Sequence, residues 1–192
     1  MNNDFLIVVD PQVDFITGSL KNENAQKAVS RIVQKVFSHF GPIIATMDSH
    51  DRDTYPISLE GKLLPIYHCV EDQPGWEIHP DIAKAIVAHG NYVGYVKKST
   101  FGSLDLPEAI KNYIKSNVCI ESTNLVTPKD TEPTFTIVGF DTDICVISNA
   151  LILRAAFPNS KITIDSKCCA GSTPHNHRAA LDVAKSCQIT II

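Results

Sequence analysis

The sequence of 192 residues lacks the features that mark several large classes of protein. No apolar run approaches the roughly 20 residues that a membrane-spanning helix needs. The formal net charge of -4 provides no basic surface for nucleic acid or for an anionic membrane. No internal repeat or low-complexity segment is present. With 44% hydrophobic and 20% charged residues, the composition is that of one ordinary globular domain.

The six cysteines also lack an informative spacing. They form neither the framework of a small disulfide-rich domain nor a C-x-x-C pair, and the adjacent Cys168 and Cys169 are predicted to pack at a strand end. The N-terminus runs directly into a predicted strand, without the basic and apolar regions of an export signal. We therefore expect reduced thiols and a cytoplasmic location.

Apolar, β-branched segments alternate with helical patterns along the chain. Predicted strands cover residues 5–10, 43–47, 92–96, 134–138, 161–166 and 188–192. Predicted helices cover residues 25–40, 81–88, 107–117, 148–156 and 174–186, and residues 49–80 are predicted to be a long, functional loop. This order predicts a flavodoxin-like α/β fold with three layers, α/β/α, around a central parallel six-stranded sheet. No glycine-rich phosphate loop follows any strand, so no nucleotide cofactor is expected.

Cys145 lies at a predicted turn from a strand into a helix. The segment around it runs Gly139-Phe140-Asp141-Thr142-Asp143-Ile144-Cys145-Val146. The backbone N–H groups and the dipole of a helix N-terminus favour a thiolate, so this position indicates a reactive cysteine with a lowered pKa. The alternative is a buried structural cysteine, because free cysteine is among the most buried residue types.

Two more predicted strands end on charged residues. Asp10 follows the first strand, and Lys97 and Lys98 follow the third. The carboxyl ends of parallel strands line one crevice, so an acid, a lysine and Cys145 are expected to meet there. Successive side chains of a strand face opposite sides, so only one of the two lysines can enter the crevice.

These segments, together with Asp48-Ser49-His50 and His68-Cys69, resemble the isochorismatase-like cysteine hydrolases, the family that includes the nicotinamidases. The resemblance covers nearly the whole chain in the same order, and the pattern G-x-x-T-D-x-C-V is its most specific part. It implies that Cys145 is a nucleophile, that Asp10 accepts its proton and that Lys98 holds Asp10 ionised. Family members carry an aromatic residue three positions after this lysine, and Phe101 favours Lys98 over Lys97.

The resemblance also implies an oxyanion hole made by the backbone N–H groups of Asp141 and Cys145. In the family, a non-proline cis peptide shapes this hole, and the equivalent bond here joins Phe140 to Asp141. Family members often have a small apolar residue or cysteine where this chain has Asp141. The extra carboxylate is therefore a departure that is expected to perturb the thiolate.

A second group of residues suits a metal ion. Asp48 and His50 have the Asp-x-His spacing that puts two side chains on one side of a strand end, and His68 follows from the long loop. The resemblance implies that these positions hold a divalent metal that docks a pyridine nitrogen, with Glu60 as a fourth ligand. Such ligands suit Zn, Mn or Fe(II), so the identity of the metal stays open. The alternative is that Asp48 and His50 are polar loop groups and that His68 is a packed side chain.

Four aromatic residues are candidates to line a pocket for a flat substrate: Phe15, Tyr67, Trp76 and Phe101. Trp76 can equally anchor the long loop onto the core. Relative to the family, residues 118–133 are extended, so they are predicted to form an inserted arm in a single domain of residues 1–192. The arm could cover the site or serve oligomerisation.

The function that this resemblance implies is a cysteine amidase that hydrolyses nicotinamide, or a related small amide, through a thioester on Cys145. One alternative is the same chemistry on another small amide, such as a carbamoyl compound or a ureide. The other is a binding protein without turnover on the same fold. The partners expected are a small-molecule amide and further copies of the chain, with no nucleic acid and no membrane.

Overall fold

The computed structural model describes residues 3–117 and 132–192. Residues 118–131, which make up nearly all of the predicted arm, lie outside the described residues, so the arm stays a prediction. Within the described part of the chain, no helix has both the length and the apolar character needed to cross a bilayer.

A single parallel sheet of six strands forms the centre of the described structure, as the sequence predicts. Its strands are β1 (Asp4–Val9), β2 (Ile43–Asp48), β3 (Tyr92–Lys98), β4 (Thr134–Phe140), β5 (Ile162–Ala170) and β6 (Thr190–Ile191). They lie in the order β3-β2-β1-β4-β5-β6. The chain therefore winds outward from β1 in one direction and later returns to start β4 on its other side. Such a switch point opens a crevice at the carboxyl ends of the two strands.

Helices cover both faces of the sheet. They are α1 (Val13–Ile16), α2 (Glu23–Ser38), α3 (Leu59–Leu63), α4 (Pro80–His89), α5 (Asp105–Asn117), α6 (Ile147–Ala156) and α7 (Pro174–Ser186). The side chain of Asn22 accepts hydrogen bonds from the N–H groups of Asn24 and Ala25, so α2 begins two residues earlier than predicted. Residues 49–80 are less irregular than predicted, because they contain α3 and a 3-10 turn, Tyr55–Ile57.

Two apolar clusters, one on each face of the sheet, make up the core. The first contains side chains of α5, α6 and α7, and the second contains side chains of α2 and α4. Alternate residues of β1 belong to each cluster, so this strand is buried on both faces. A central strand of a parallel sheet is expected to be apolar throughout for this reason.

Gly139 brings the backbones of β1 and β4 close together at the crevice. Its φ is +122°, in a region that side-chain-bearing residues rarely adopt. A Cβ atom at this position would lie 2.0 Å from the carbonyl oxygen of Val9. The spacing of the two strands therefore depends on glycine here.

Candidate active site

Asp10, Lys98 and Cys145 converge at the carboxyl ends of β1, β3 and β4. The Nζ atom of Lys98 lies 2.7 Å from Oδ2 of Asp10 and 3.5 Å from Sγ of Cys145. All three residues are buried. The parallel strand ends predicted from the sequence led us to expect this meeting of an acid, a lysine and a cysteine.

Neighbouring strands hold the Asp10 carboxylate in place. Asp10 directly follows β1 and has a φ of +45°. Its N–H group donates to the carbonyl oxygen of Thr46, and the hydroxyl of Thr46 donates to Oδ1 of Asp10 over 2.6 Å. One carboxylate oxygen is thus fixed by a hydroxyl of β2, and the other faces the ammonium of Lys98.

The two adjacent lysines of β3 face opposite sides. Lys98 is buried in the crevice, whereas Lys97 is exposed and pairs with Glu71. The ammonium of Lys97 also lies 5.1 Å from the ring centroid of Trp76. The choice of Lys98 over Lys97 as the lysine in the crevice is therefore confirmed.

Cys145 lies in a π-helical turn, Thr142–Val146, that precedes α6. The carbonyl oxygen of Asp141 accepts hydrogen bonds from the N–H groups of Ile144 and Val146. The side-chain amide of Asn149 donates to the carbonyl oxygen of Cys145 over 2.8 Å. The peptide bond from Phe140 to Asp141 is cis, as expected.

The prediction of a lowered thiol pKa is wrong. Burial and the carboxylate of Asp10 raise the pKa of Cys145 well above its ordinary value, and Lys98 only partly offsets them. The helix-terminus argument missed this because it considered the backbone and left out desolvation. Burial likewise raises the pKa of Asp10, against the opposing effect of Lys98. Burial opposes the charge of Lys98, but Asp10 and the other nearby groups raise its pKa well above the usual range.

The predicted metal ligands also converge. One ligand atom from each of Asp48, His50, Glu60 and His68 lies within 4.8 Å of the other three. Oδ2 of Asp48 is 2.9 Å from Nε2 of His50 and 3.4 Å from Nε2 of His68. Oε1 of Glu60 is 4.0 Å and 3.6 Å from the same two nitrogens.

This group fits a divalent cation by its chemistry. Nδ1 of His68 lies 2.9 Å from the carbonyl oxygen of Ile66, which selects the tautomer with a free lone pair on Nε2. Burial opposes protonation of His68, but without an ion the hydrogen bonds with Asp48 and Glu60 raise its pKa to about 10, and a bound cation would take the place of the Nε2 proton. The two carboxylates thus stabilise a positive charge at the position that both imidazole rings face. Two imidazoles and two carboxylates suit Zn, Mn or Fe(II).

A cavity of about 180 Å³ is lined by Cys145 on one side and by residues of this group on the other. Its lining residues are Phe15, Leu20, Asp48, Glu60, Leu63, Leu64, His68, Phe101, Asp141, Ile144 and Cys145. A larger chamber of about 570 Å³ lies beside it, and both are lined by Glu60, Leu63 and Phe101. We call the smaller space the inner cavity.

Two of the four predicted pocket aromatics, Phe15 and Phe101, line the inner cavity. Tyr67 is half-exposed and lies outside that lining. The indole N–H of Trp76 donates to the hydroxyl of Ser49 over 2.8 Å, which matches the alternative role of a loop anchor. Sequence reasoning missed Leu63 and Leu64 because no periodic pattern marks their segment. It also did not foresee the Asp141 side chain as part of the cavity wall.

Comparison with known proteins identifies the family. The model of the isochorismatase domain matches residues 4–192. The chain belongs to the isochorismatase family. This result agrees with the family resemblance that the sequence shows in the residues at its predicted strand ends. No curated protein matches the chain.

Several solved structures share the fold. A nicotinamidase/pyrazinamidase from Bacillus subtilis is 21% identical with a TM-score of 0.76, over 100% of this chain and 99% of that one. A pyrazinamidase/nicotinamidase from Streptococcus mutans is 22% identical with a TM-score of 0.77, over 98% and 99%. A pyrazinamidase from Pyrococcus horikoshii in complex with zinc is 21% identical with a TM-score of 0.71, over 99% and 98%.

Proposed function

We propose that this isochorismatase-family protein is a cysteine hydrolase that cleaves the C–N bond of a small primary amide. The observation that carries the proposal is the buried contact of Lys98 with both Asp10 and Cys145, at 2.7 Å and 3.5 Å. A nucleophile, a proton acceptor and a fixed cation are the parts that covalent amide hydrolysis needs.

In the proposed mechanism, the sulfur of Cys145 attacks the amide carbon while Asp10 takes the thiol proton. The raised pKa of the thiol makes this transfer to Asp10 part of the attack. The backbone N–H groups of Asp141 and Cys145 would stabilise the oxyanion. Asp10 then returns the proton to the leaving amine, so that ammonia departs and a thioester remains. Water attacks the thioester, releases the acid and restores the thiol.

The four residues Asp48, His50, Glu60 and His68 would hold a divalent metal beside the inner cavity. When bound, such an ion supplies a coordination position for a ring nitrogen of the substrate. One structural relative is named as a complex with zinc. The identity of the metal in this protein is left open between Zn, Mn and Fe.

Nicotinamide is the first candidate substrate. Support comes from the names of the relatives and from Phe15 and Phe101, which line the inner cavity and suit a flat ring. The second candidate is a carbamoyl compound or ureide, because Asp141 lines the same cavity and a carboxyl group can accept a hydrogen bond from an N–H group of such a compound. We also propose that the protein acts in the cytoplasm as a homo-oligomer.

Ammonia release tests the proposal. The purified protein is offered nicotinamide and a panel of small carbamoyl compounds, with and without added Zn or Mn. Release is expected for at least one compound, and Cys145→Ala should reduce it below detection because the covalent step is lost. An inactive wild-type protein that binds these compounds would favour the alternative of a binding protein. Activity that survives in Cys145→Ala would exclude the thioester mechanism.

A further inference from the structure

The larger chamber beside the inner cavity has no part in the mechanism above, and we call it the outer chamber. Its volume of about 570 Å³ lies in the range of pockets that hold small molecules. Glu60, Leu63 and Phe101 line both spaces and thus form their common boundary. The side chains of Leu63 and Phe101 are 77% and 49% exposed, so this boundary is not sealed by packing.

Large apolar side chains cluster around the outer chamber. Leu59 lines it with 75% of its surface exposed, beside Leu63 and Phe101. The ring of Tyr55 is buried in the same wall, and its hydroxyl donates to the carbonyl oxygen of Leu64. Exposed apolar residues are unremarkable singly, but a group of them around one cavity marks a surface that a ligand or a partner covers.

The hydroxyl groups in the wall are already used within the protein. Ser49 donates to the carbonyl oxygen of Met47, and Ser58 donates to that of Tyr55. The hydroxyls of two threonines are also engaged, Thr54 with the Asp51 carboxylate and Thr100 with the Gly102 carbonyl oxygen. A ligand therefore meets few free donors in the outer chamber, which suits an apolar group better than a polar one.

The charges of the wall restrict the ligand further. Among the described residues, no lysine or arginine lines either space. Two carboxylates besides that of Glu60 line the outer chamber, those of Asp51 and Glu71. A ligand carboxylate would lose hydration there without gaining a cation in the wall. The outer chamber thus favours a chain without negative charge.

We propose that the outer chamber binds the apolar chain of the substrate, and that the substrate class is neutral primary amides, R–CO–NH2, in which R extends beyond the inner cavity. The inference rests on the proposed function and deepens it. The steps at Cys145 are unchanged, so ammonia leaves first and water then releases R–COOH from the thioester. A second copy of the chain is the rival occupant of this apolar surface. The boundary shared with the cavity of Cys145 favours the substrate.

A series of chain lengths tests the proposal. Dissociation constants for butanamide, hexanamide and octanamide are measured by calorimetry on Cys145→Ala, in which turnover cannot interfere. Burial of each added CH2 group should lower the constant about fourfold, so octanamide should bind on the order of 100-fold more tightly than butanamide. The monoamide of octanedioic acid has the same chain with a terminal carboxylate, and it should bind about 10-fold or more weakly than octanamide.

Leu59→Ser, added to Cys145→Ala, separates the two spaces, because Leu59 lines the outer chamber and not the inner cavity. It should weaken octanamide binding about 3- to 10-fold and leave butanamide binding unchanged. Val87→Ser is the matched control, since Val87 is 77% exposed and lines neither space. This substitution should change neither constant.

Equal constants along the series, or the same chain-length gain in Leu59→Ser as in Val87→Ser, would overturn the proposal. A flat series together with a loss of self-association in Leu59→Ser, measured by sedimentation, would assign the apolar surface to a second copy instead. Ammonia release from short amides with a flat series would leave the hydrolase function standing and remove the role of the outer chamber. A chain-length gain without ammonia release from wild type would overturn the hydrolase function alone.

Discussion

At the scale of single residues, burial decides the chemistry of this site. Cys145 is surrounded by Asp10 and Lys98 with little access to water, so its resting state is a neutral thiol beside an ion pair. Helix-terminus effects operate here, but desolvation of the sulfur outweighs them. In the proposed mechanism, Cys145 would therefore be activated by proton transfer at the moment of attack rather than by a lowered pKa at rest.

The raised pKa of Cys145 predicts the order in which the cysteines react with iodoacetamide. Alkylation requires an accessible thiolate, and Cys145 is buried with a raised pKa. Of the described cysteines, Cys187 is the one that is not buried, and we expect it to react before Cys145. Peptide mapping by mass spectrometry after short exposure at neutral pH measures the order. Fast, selective alkylation of Cys145 would contradict the raised pKa.

Asp141 should make the stability of the fold depend on pH. Its pKa is about 7 in the folded protein, against a reference value of 3.8. A carboxyl with a raised folded pKa takes up a proton on folding, so its contribution is favourable below about pH 4 and is lost as the pH rises toward 7. A difference of about three pKa units corresponds to a loss on the order of 4 kcal/mol.

Asp141→Asn should therefore be more stable than wild type above pH 7, and the gain should fade toward pH 4. Urea denaturation at a series of pH values gives the free energy of unfolding of both proteins. A constant difference across the whole range would show that Asp141 has an ordinary pKa. Asp143→Asn should weaken the pH dependence without removing it, because burial raises the pKa of Asp141 more than the Asp143 carboxylate does.

At the scale of elements, strand ends carry the candidate catalytic groups and loops complete the site. Asp10, Lys98 and Cys145 lie at or just after the carboxyl ends of strands that the sequence predicts to be parallel, so their convergence could be expected from that topology. The π-helical turn around Cys145 could not, because its hydrogen bonds to Asp141 depend on the local backbone path. The end of α3 also depends on a side-chain contact that no periodic pattern predicts, because the Tyr55 hydroxyl donates to the carbonyl oxygen of Leu64, directly after the helix.

Because side chains of β3 alternate between its two sides, Lys97 and Lys98 provide a matched test of the proposed catalytic role within one strand. Lys98→Met should reduce kcat/KM by on the order of 100-fold or more, because it removes a buried charge next to the reacting atoms. Lys97→Met removes the same charge from the exposed side and should change kcat/KM little. Steady-state kinetics on the substrate found by the ammonia screen measure both. Similar losses in the two variants would contradict the assigned roles.

At the scale of the whole molecule, the predicted architecture and the predicted site agree with the structure more closely than the predicted pocket does. The parallel topology can be predicted from the alternation of apolar strands and helices along the chain. A parallel sheet then brings the residues at the carboxyl ends of its strands together. The two predicted pocket aromatics that lie outside the inner cavity, Tyr67 and Trp76, come from residues 49–80, where side-chain direction depends on packing between distant segments. Trp76 accordingly contacts Lys97 and Ser49 and lies outside the inner cavity.

The metal group should couple ion binding to global stability. Asp48 and His50 flank the end of β2, whereas Glu60 and His68 belong to α3 and the segment after it, so an ion would cross-link these parts. A ligand that binds only the folded state stabilises it by about 2.7 kcal/mol at 100 times its dissociation constant. For a chain of this size, that corresponds to a rise in Tm of about 5–10 °C.

Thermal denaturation with Zn or Mn, after removal of bound ions by a chelator, measures this rise. His68→Ala should abolish it, and Cys145→Ala should retain it, since the thiol lies outside the ligand group. If nicotinamide is the substrate, His50→Ala should also raise KM. An unchanged Tm at saturating Zn and Mn would mean that these four residues hold no such ion.

Gly139 shows how a residue without a functional group can limit the evolution of a catalytic site. Because its missing side chain permits the approach of β4 to the Val9 carbonyl, the distance between Asp10 and Cys145 depends on bare backbone. Saturation mutagenesis should therefore score position 139 as intolerant as position 145. We expect variants of this sequence to change their substrate by changing the cavity wall rather than by moving the strands that position Asp10 and Cys145.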